Sequence, residues 1–214
     1  MSITTVLFDL DGTLVNSIYD IGGAMNVALE SLGQPTFPIE QYYKMVGNGM
    51  KNLCRRALAE DKQDLLEELL RRYNTRYLAH CCDETKVYDG VPTLLRELKS
   101  RGYKLALITN KPAGQAKNVM ETLLPDSDFD VVWGQQPPFA VKPDPAVYHH
   151  VCNLLGVQAG ETLYCGDSDV DMLFAKNAGA KGAGCLWGFR DEAELKAAGA
   201  DYLARVPLGI LECL

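Results

Sequence analysis

Short apolar, β-branched runs alternate with helix-length patterns along most of this chain, and that alternation restricts the fold more than any other feature. Residues 3–8 (Ile-Thr-Thr-Val-Leu-Phe) read as a buried strand, and similar runs recur over 104–109, 129–133, 162–165 and 183–187. Helical patterns fill 91–100, 112–123, 143–155 and 170–178. Strands alternating with helices of about 10–15 residues predict an α/β class: a doubly wound parallel sheet covered on both faces.

Residues 17–82 break this rhythm. Ile18, Ile21, Met25, Ala28, Leu29 and Leu32 keep helical spacing, as do Leu65, Leu66, Leu69, Leu70, Tyr73 and Tyr77. No strand pattern interrupts them, while Pro35, Pro38 and Gly47-Asn48-Gly49 break one helix from the next. The expected division is a core of residues 1–15 and 84–214, with an inserted all-α unit of about four helices over 16–83. An insertion after the first strand lies beside its carboxyl end, where open α/β sheets bind ligands, so it is placed to act as a lid.

With 214 residues the chain is long enough to bury a core without staples. No apolar run approaches the ~18–20 residues of a membrane span, and the first strand-like run ends in Asp9, so neither an anchor nor a signal peptide is expected. The formal charge of −7 argues against a nucleic-acid partner. Seven cysteines without a Cys-x-x-Cys pair, two of them adjacent (Cys81 and Cys82), fit reduced thiols in the cytoplasm. His149, His150 and Cys152 read as residues of one helix rather than as metal ligands. Monomer and homodimer are both compatible with the sequence.

Four segments carry chemistry. The first strand ends in Asp9-Leu10-Asp11-Gly12-Thr13, where two carboxylates two residues apart would share a side in extended geometry. Like charges so close call for a cation or a shared proton, and hard oxygen ligands suit Mg²⁺. The plain alternative is a solvated Asp-Gly turn. The second strand leads into Thr109-Asn110-Lys111-Pro112 before a helix, a place for phosphate or simply for an N-cap. Lys142-Pro143 opens another helix, where a lysine opposes the dipole unless an anion compensates it. Gly166-Asp167-Ser168-Asp169-Val170-Asp171 follows a fourth strand with more acids than capping requires, which points to a metal. In a doubly wound sheet these segments converge on one crevice.

Taken together, Asp9-x-Asp11-Gly12-Thr13, Thr109, Lys142 and Gly166-Asp167-x-x-x-Asp171 resemble the four ordered motifs of the haloacid dehalogenase superfamily. The resemblance covers nearly the whole chain and implies a Rossmann-like core with a helical cap inserted after the first strand. Within that superfamily, Val46-Gly47-Asn48-Gly49, Thr109-Asn110-Lys111-Pro112 and Trp187-Gly188 look most like the phosphoglycolate phosphatase-like group.

The resemblance implies that Asp9 is a nucleophile forming an aspartyl-phosphate and that Asp11 is the acid and base. It assigns Thr109 and Lys142 to the phosphoryl oxygens. Mg²⁺ would be held by Asp9, the backbone carbonyl of Asp11, and Asp167, with Asp171 a ligand or an orienting group. Gly12, Asn110 and the cap loop Gly47, Asn48 and Gly49 complete the expected substrate contacts. Lys51, Arg55, Arg56, Arg71, Arg72 and Arg76 are candidates for a substrate carboxylate, or else a solvated helix face. An acid at Asp11 favours phosphate transfer over dehalogenation, because a leaving halide needs no proton. The expected substrate is a small phosphorylated metabolite. A nucleotidase, a pyrophosphatase, a sugar-phosphate phosphatase, a β-phosphoglucomutase-like enzyme and a non-catalytic phosphometabolite sensor remain as alternatives. Asn16-Ser17 departs from the Asp-Ser that is common among near relatives, without touching the four motifs.

Overall fold

The computed structural model describes residues 2–214. The chain runs through β1 (Thr5–Phe8), β2 (Val15–Asn16), α1 (Ile18–Glu30), α2 (Ile39–Met45), α3 (Met50–Ala57), α4 (Leu66–His80) and β3 (Lys86–Val87). It continues through α5 (Val91–Ser100), β4 (Lys104–Pro112), α6 (Ala113–Leu123), β5 (Val131–Gln135), α7 (Ala146–Leu155), β6 (Thr162–Gly166), α8 (Asp169–Ala178), β7 (Lys181–Cys185), α9 (Glu192–Ala197) and β8 (Tyr202–Ala204). Short 3₁₀ segments occupy Glu60–Leu65, Ala159–Glu161 and Pro207–Cys213.

Six parallel strands form one sheet in the order β5-β4-β1-β6-β7-β8. Winding runs outward from β1 to β5 on one side, then returns to β6 and runs outward on the other. The switch point lies between β1 and β6, which pair from Thr5↔Thr162 to Phe8↔Cys165. Asp9 and Asp167 follow those two strands, so the topology itself brings the two acids together.

The strands are apolar throughout because both faces are covered. Val6, Phe8, Leu105, Leu107, Leu163 and Cys165 pack on one side with Leu94 and Leu98 of α5 and Val119 of α6. Leu7, Ala106, Ile108 and Tyr164 pack on the other with Tyr148 and Val151 of α7 and Phe174 of α8.

Between β2 and β3 lie the four helices α1–α4. Where the chain leaves and returns, Val15 pairs with Val87 and Asn16 with Lys86 in a two-stranded antiparallel ribbon. Just beyond it, Asp20 of α1 accepts bonds from the Glu84 and Thr85 amides and from the Thr85 hydroxyl.

Several elements differ from the sequence expectations, among them the helix expected over 143–155, which begins at Ala146. The strand expected over 183–187 is Lys181–Cys185, since Gly182 and Gly184 are strand residues packed against Met172, Leu195 and Leu203. β5 begins two residues later than expected, at Val131. β8 and the β2–β3 ribbon are too short for any periodic pattern. No helix among the described residues is long and apolar enough to cross a membrane.

Candidate active site

Beyond Phe8 the chain stays extended for one residue, with the Asp9 amide donating to Cys165 O at 2.9 Å. It then turns sharply, and Leu10 O accepts from the amides of Thr13, Leu14 and Val15. Gly12 sits in this turn at φ 85°, and a Cβ there would collide with the Asp167 carboxylate. Glycine is thus demanded twice at one position, by conformation and by the close approach of an acid.

Asp9, Asp167 and Asp171 form a buried cluster in which one carboxylate oxygen of each lies within 4.8 Å of the others. Lys142, 2% exposed, is the cation among them. Its ammonium lies 2.9 Å from Asp9 Oδ1 and donates to Asp171 Oδ1 at 2.6 Å and to the Tyr164 hydroxyl at 2.9 Å. The Asp9 contact is ionic only, because its angle leaves Asp9 Oδ1 without a hydrogen-bond partner. Burial pushes Asp9 up to about 6, Lys142 opposes the rise, and Asp171 adds to it. Asp167 is also held well above the usual carboxylate range, first by burial and then by Asp171 and Asp9. Burial works against the Lys142 ammonium, but Asp171 and Asp9 overcome it and raise its pKa.

These observations fit a divalent cation. Three buried acids face one lysine, one carboxylate oxygen is orphaned, and all the donors are hard oxygens. Asp171 is the most committed of the three. Its Oδ1 takes Lys142, and its Oδ2 accepts from the Ser168 hydroxyl at 2.6 Å and the Ser168 amide at 3.1 Å. Asp167 is oriented by the Thr13 hydroxyl at 3.2 Å and the Phe189 amide at 2.8 Å.

The Asp11 side chain points away from this cluster. It accepts from the Ser17 hydroxyl at 2.6 Å and from Lys111 Nζ at 2.7 and 2.9 Å. Lys111 reaches it because β4 is bulged: Thr109 pairs with Gly134 and Pro112 with Gln135, so Asn110 and Lys111 are extra residues. Bulges of this kind re-aim side chains beside sites. Gly134 makes room for this one, since a Cβ there would meet Ala113 Cα at 2.5 Å and Lys111 O at 3.0 Å. Asn110 clasps the Lys142 backbone, accepting from its amide at 2.7 Å and donating to its carbonyl at 3.3 Å. The same amide group donates to Gly47 O at 2.9 Å.

One pocket joins these groups to the helical segment. Asp9, Asp11, Thr109, Asn110 and Asp167 line it from the sheet, Gly47 and Gly49 from the loop between α2 and α3. Lys142 and Asp171 stand behind the lining, and Gly12 and Asn48 are not part of it. Asn48 instead accepts the Asn52 side-chain amide on its backbone carbonyl.

None of Lys51, Arg55, Arg56, Arg71, Arg72 and Arg76 lines the pocket. They pair with Glu67, Asn52, Met45 O, Glu68, Ser31 O and His80 on the helices. The lining cations are Lys111 and Arg190. Lys111 was visible only as part of a motif, and Arg190 carried no signal apart from following Trp187-Gly188.

Arg190, on the core side, donates through Nη2 to Val46 O at 2.9 Å and pairs through Nε with Glu194 at 2.8 Å. With Asn110 it pins the loop that begins at Val46. A charged donor of this kind is worth about 1.5–3 kcal/mol. Arg190→Met is therefore expected to loosen the loop and raise KM by roughly 10-fold or more. Steady-state kinetics with KM unchanged would exclude that role.

Residues 6–185 match the family model described as haloacid dehalogenase-like hydrolase. The chain is 38% identical over 191 residues to a phosphoglycolate phosphatase of Colwellia psychrerythraea, covering 86% of this chain and 84% of that protein. It is 32% identical over 204 residues to a phosphoglycolate phosphatase of Haemophilus influenzae, covering 92% and 91%. Among solved structures, a haloacid dehalogenase-like family hydrolase from Streptococcus pneumoniae superposes with a TM-score of 0.90 at 28% identity, covering 99% of this chain and 98% of that one.

Proposed function

The chain belongs to the haloacid dehalogenase-like hydrolases, and from that premise we infer that it is a phosphatase of the phosphoglycolate phosphatase type. The observation that carries the reading is the pairing of an acid-rich, lysine-buttressed cluster with a second acid, Asp11, on the pocket side. We assign Asp9 as nucleophile. Its carboxylate oxygen attacks phosphorus, the bond to the ester oxygen breaks, and Asp11 gives that oxygen its proton. In the second half Asp11 takes a proton from water, the water oxygen bonds phosphorus, and Asp9 is freed as phosphate leaves. Thr109 and Lys142 hold phosphoryl oxygens while charge shifts.

Asp9, Asp167 and the backbone carbonyl of Asp11 would hold Mg²⁺, with Asp171 orienting Lys142. When bound, that ion neutralises charge shared by the phosphoryl group and the carboxylates. Residues 16–83 act in this reading as a cap that shields the site from bulk water, with Asn110 and Arg190 tying its loop to the core. Seven free cysteines, five of them buried, support a reducing, cytoplasmic setting.

The leaving-group side favours a small substrate. Its walls include Ile21, Met50, Leu53 and Tyr73, and the two side-chain amides that line the pocket, Gln115 and Asn110, already donate to Asn74 and to Gly47 O. A sugar or nucleoside would find few partners there. Phosphate release should be measured from 2-phosphoglycolate, sugar phosphates, nucleotides and pyrophosphate, with Mg²⁺ and with EDTA. Metal-dependent release led by 2-phosphoglycolate is expected; no release from any of them would contradict the proposal.

A further inference from the structure

The phosphoryl chemistry leaves one pocket cation unused. Lys111 has a side chain only 3% exposed, with its ammonium on both Asp11 oxygens and 4.6 Å from the centre of the Tyr77 ring. Asp11 does not need it for orientation alone, because Ser17 already donates to the same carboxylate at 2.6 Å. An ammonium has three donors, and two of them go to Asp11, so one remains for a ligand. Arg190, the other lining cation, gives Nε to Glu194 and Nη2 to the carbonyls of Lys44 and Val46; its Nη1 is buried without a partner, but none of its contacts is with Asp11.

Position gives that donor a meaning. The ester oxygen must come within hydrogen-bond reach of Asp11 to receive its proton. Lys111 Nζ touches the same carboxylate, so a group attached one carbon beyond the ester oxygen meets the ammonium. The surrounding walls are apolar, which raises the value of a charge pair and the cost of leaving Lys111 facing a neutral group.

We infer that Lys111 is the specificity-determining residue, and that it selects leaving groups bearing a carboxylate next to the ester carbon. The inference rests on the phosphatase reading above and names what that reading leaves open, the residue that reads the acid end of the substrate. As the substrate carboxylate docks, it takes a share of the ammonium that otherwise belongs to Asp11.

The test compares 2-phosphoglycolate with its carboxamide, which has nearly the same shape and no carboxylate charge, in the parent protein, Lys111→Met and Lys111→Arg. The parent is expected to prefer the acid in kcat/KM by at least about 30-fold, the size of a broken buried charge pair. Lys111→Met should collapse that ratio towards one, and Lys111→Arg should keep most of it at a lower overall rate. Equal losses on both substrates in Lys111→Met, with the ratio intact, would overturn the inference and leave the phosphatase standing. The parent ratio is a second, independent check: a parent that hydrolyses acid and amide equally well also overturns it, whether or not Lys111→Met folds. Failure of the parent on every phosphate ester with Mg²⁺ would instead remove the phosphatase reading itself.

Discussion

Asp9→Asn is expected to release phosphate at least about 10⁴-fold more slowly than the parent and yet to be no less stable when divalent cations are absent. The first half follows from removing the proposed nucleophile, a change that in covalent enzymes costs most of the catalysis. The second follows from the charge of the cluster. Without a metal, Asp9, Asp167 and Asp171 share one buried lysine. Burial raises the Asp9 carboxyl from 3.8 to about 6. For an acid whose folded pKa lies above its unfolded one, the stability cost builds up between those values and is complete above the higher. At neutral pH the Asp9→Asn variant escapes that cost. A rise of about 2–4 °C in Tm in EDTA is expected, corresponding to roughly 1 kcal/mol for a chain of this size. Adding Mg²⁺ should raise the Tm of the parent more than that of Asp9→Asn. Calorimetry showing the variant several degrees less stable in EDTA would mean that Asp9 is a structural residue.

Lys142→Met should do the opposite. It removes the cation that pairs with Asp9 and donates to Asp171 and Tyr164, and leaves buried acids uncompensated. Breaking a buried pair from one side costs about 3–5 kcal/mol. The expected fall in Tm is roughly 6–20 °C, together with a rate loss of about 10²–10³-fold or more from loss of the proposed phosphoryl contact. Mg²⁺ should recover part of the lost stability, since it returns positive charge to the same cluster. Thermal unfolding within about 2 °C of the parent and undiminished turnover would contradict the place given to this lysine.

Parts of the site were legible in sequence. Asp9, Thr109 and Asp167 follow apolar runs, and strand ends at a switch point are where a doubly wound sheet gathers its chemistry. The acid excess around Asp167 exceeded what capping uses. Asp171 proves to serve both purposes, closing the start of α8 through Ser168 and holding Lys142.

What was not legible depends on register and on single bonds across distant segments. The bulge in β4 sends Lys111 to Asp11, and a reading by strand alternation cannot foresee a two-residue excess. Arg190 reaches Val46 across 144 residues. The basic residues of α3 and α4, candidates for a substrate carboxylate or a solvated helix face, serve local pairs such as Arg72 with Glu68. β8, three residues long, has no periodicity to detect and is held by pairing with β7.

The central claim is that the phosphoryl group passes through Asp9. It is tested most directly by rapid acid quench during turnover of phosphorus-labelled 2-phosphoglycolate, followed by peptide mapping. The account predicts a hydroxylamine-sensitive label on the peptide carrying Asp9, formed as fast as product and absent from Asp9→Asn. It also predicts that an added alcohol divides the phosphoryl group between alcohol and water in one ratio, whatever the leaving group. Normal turnover with no label at any time, and a ratio that changes with the leaving group, would contradict it.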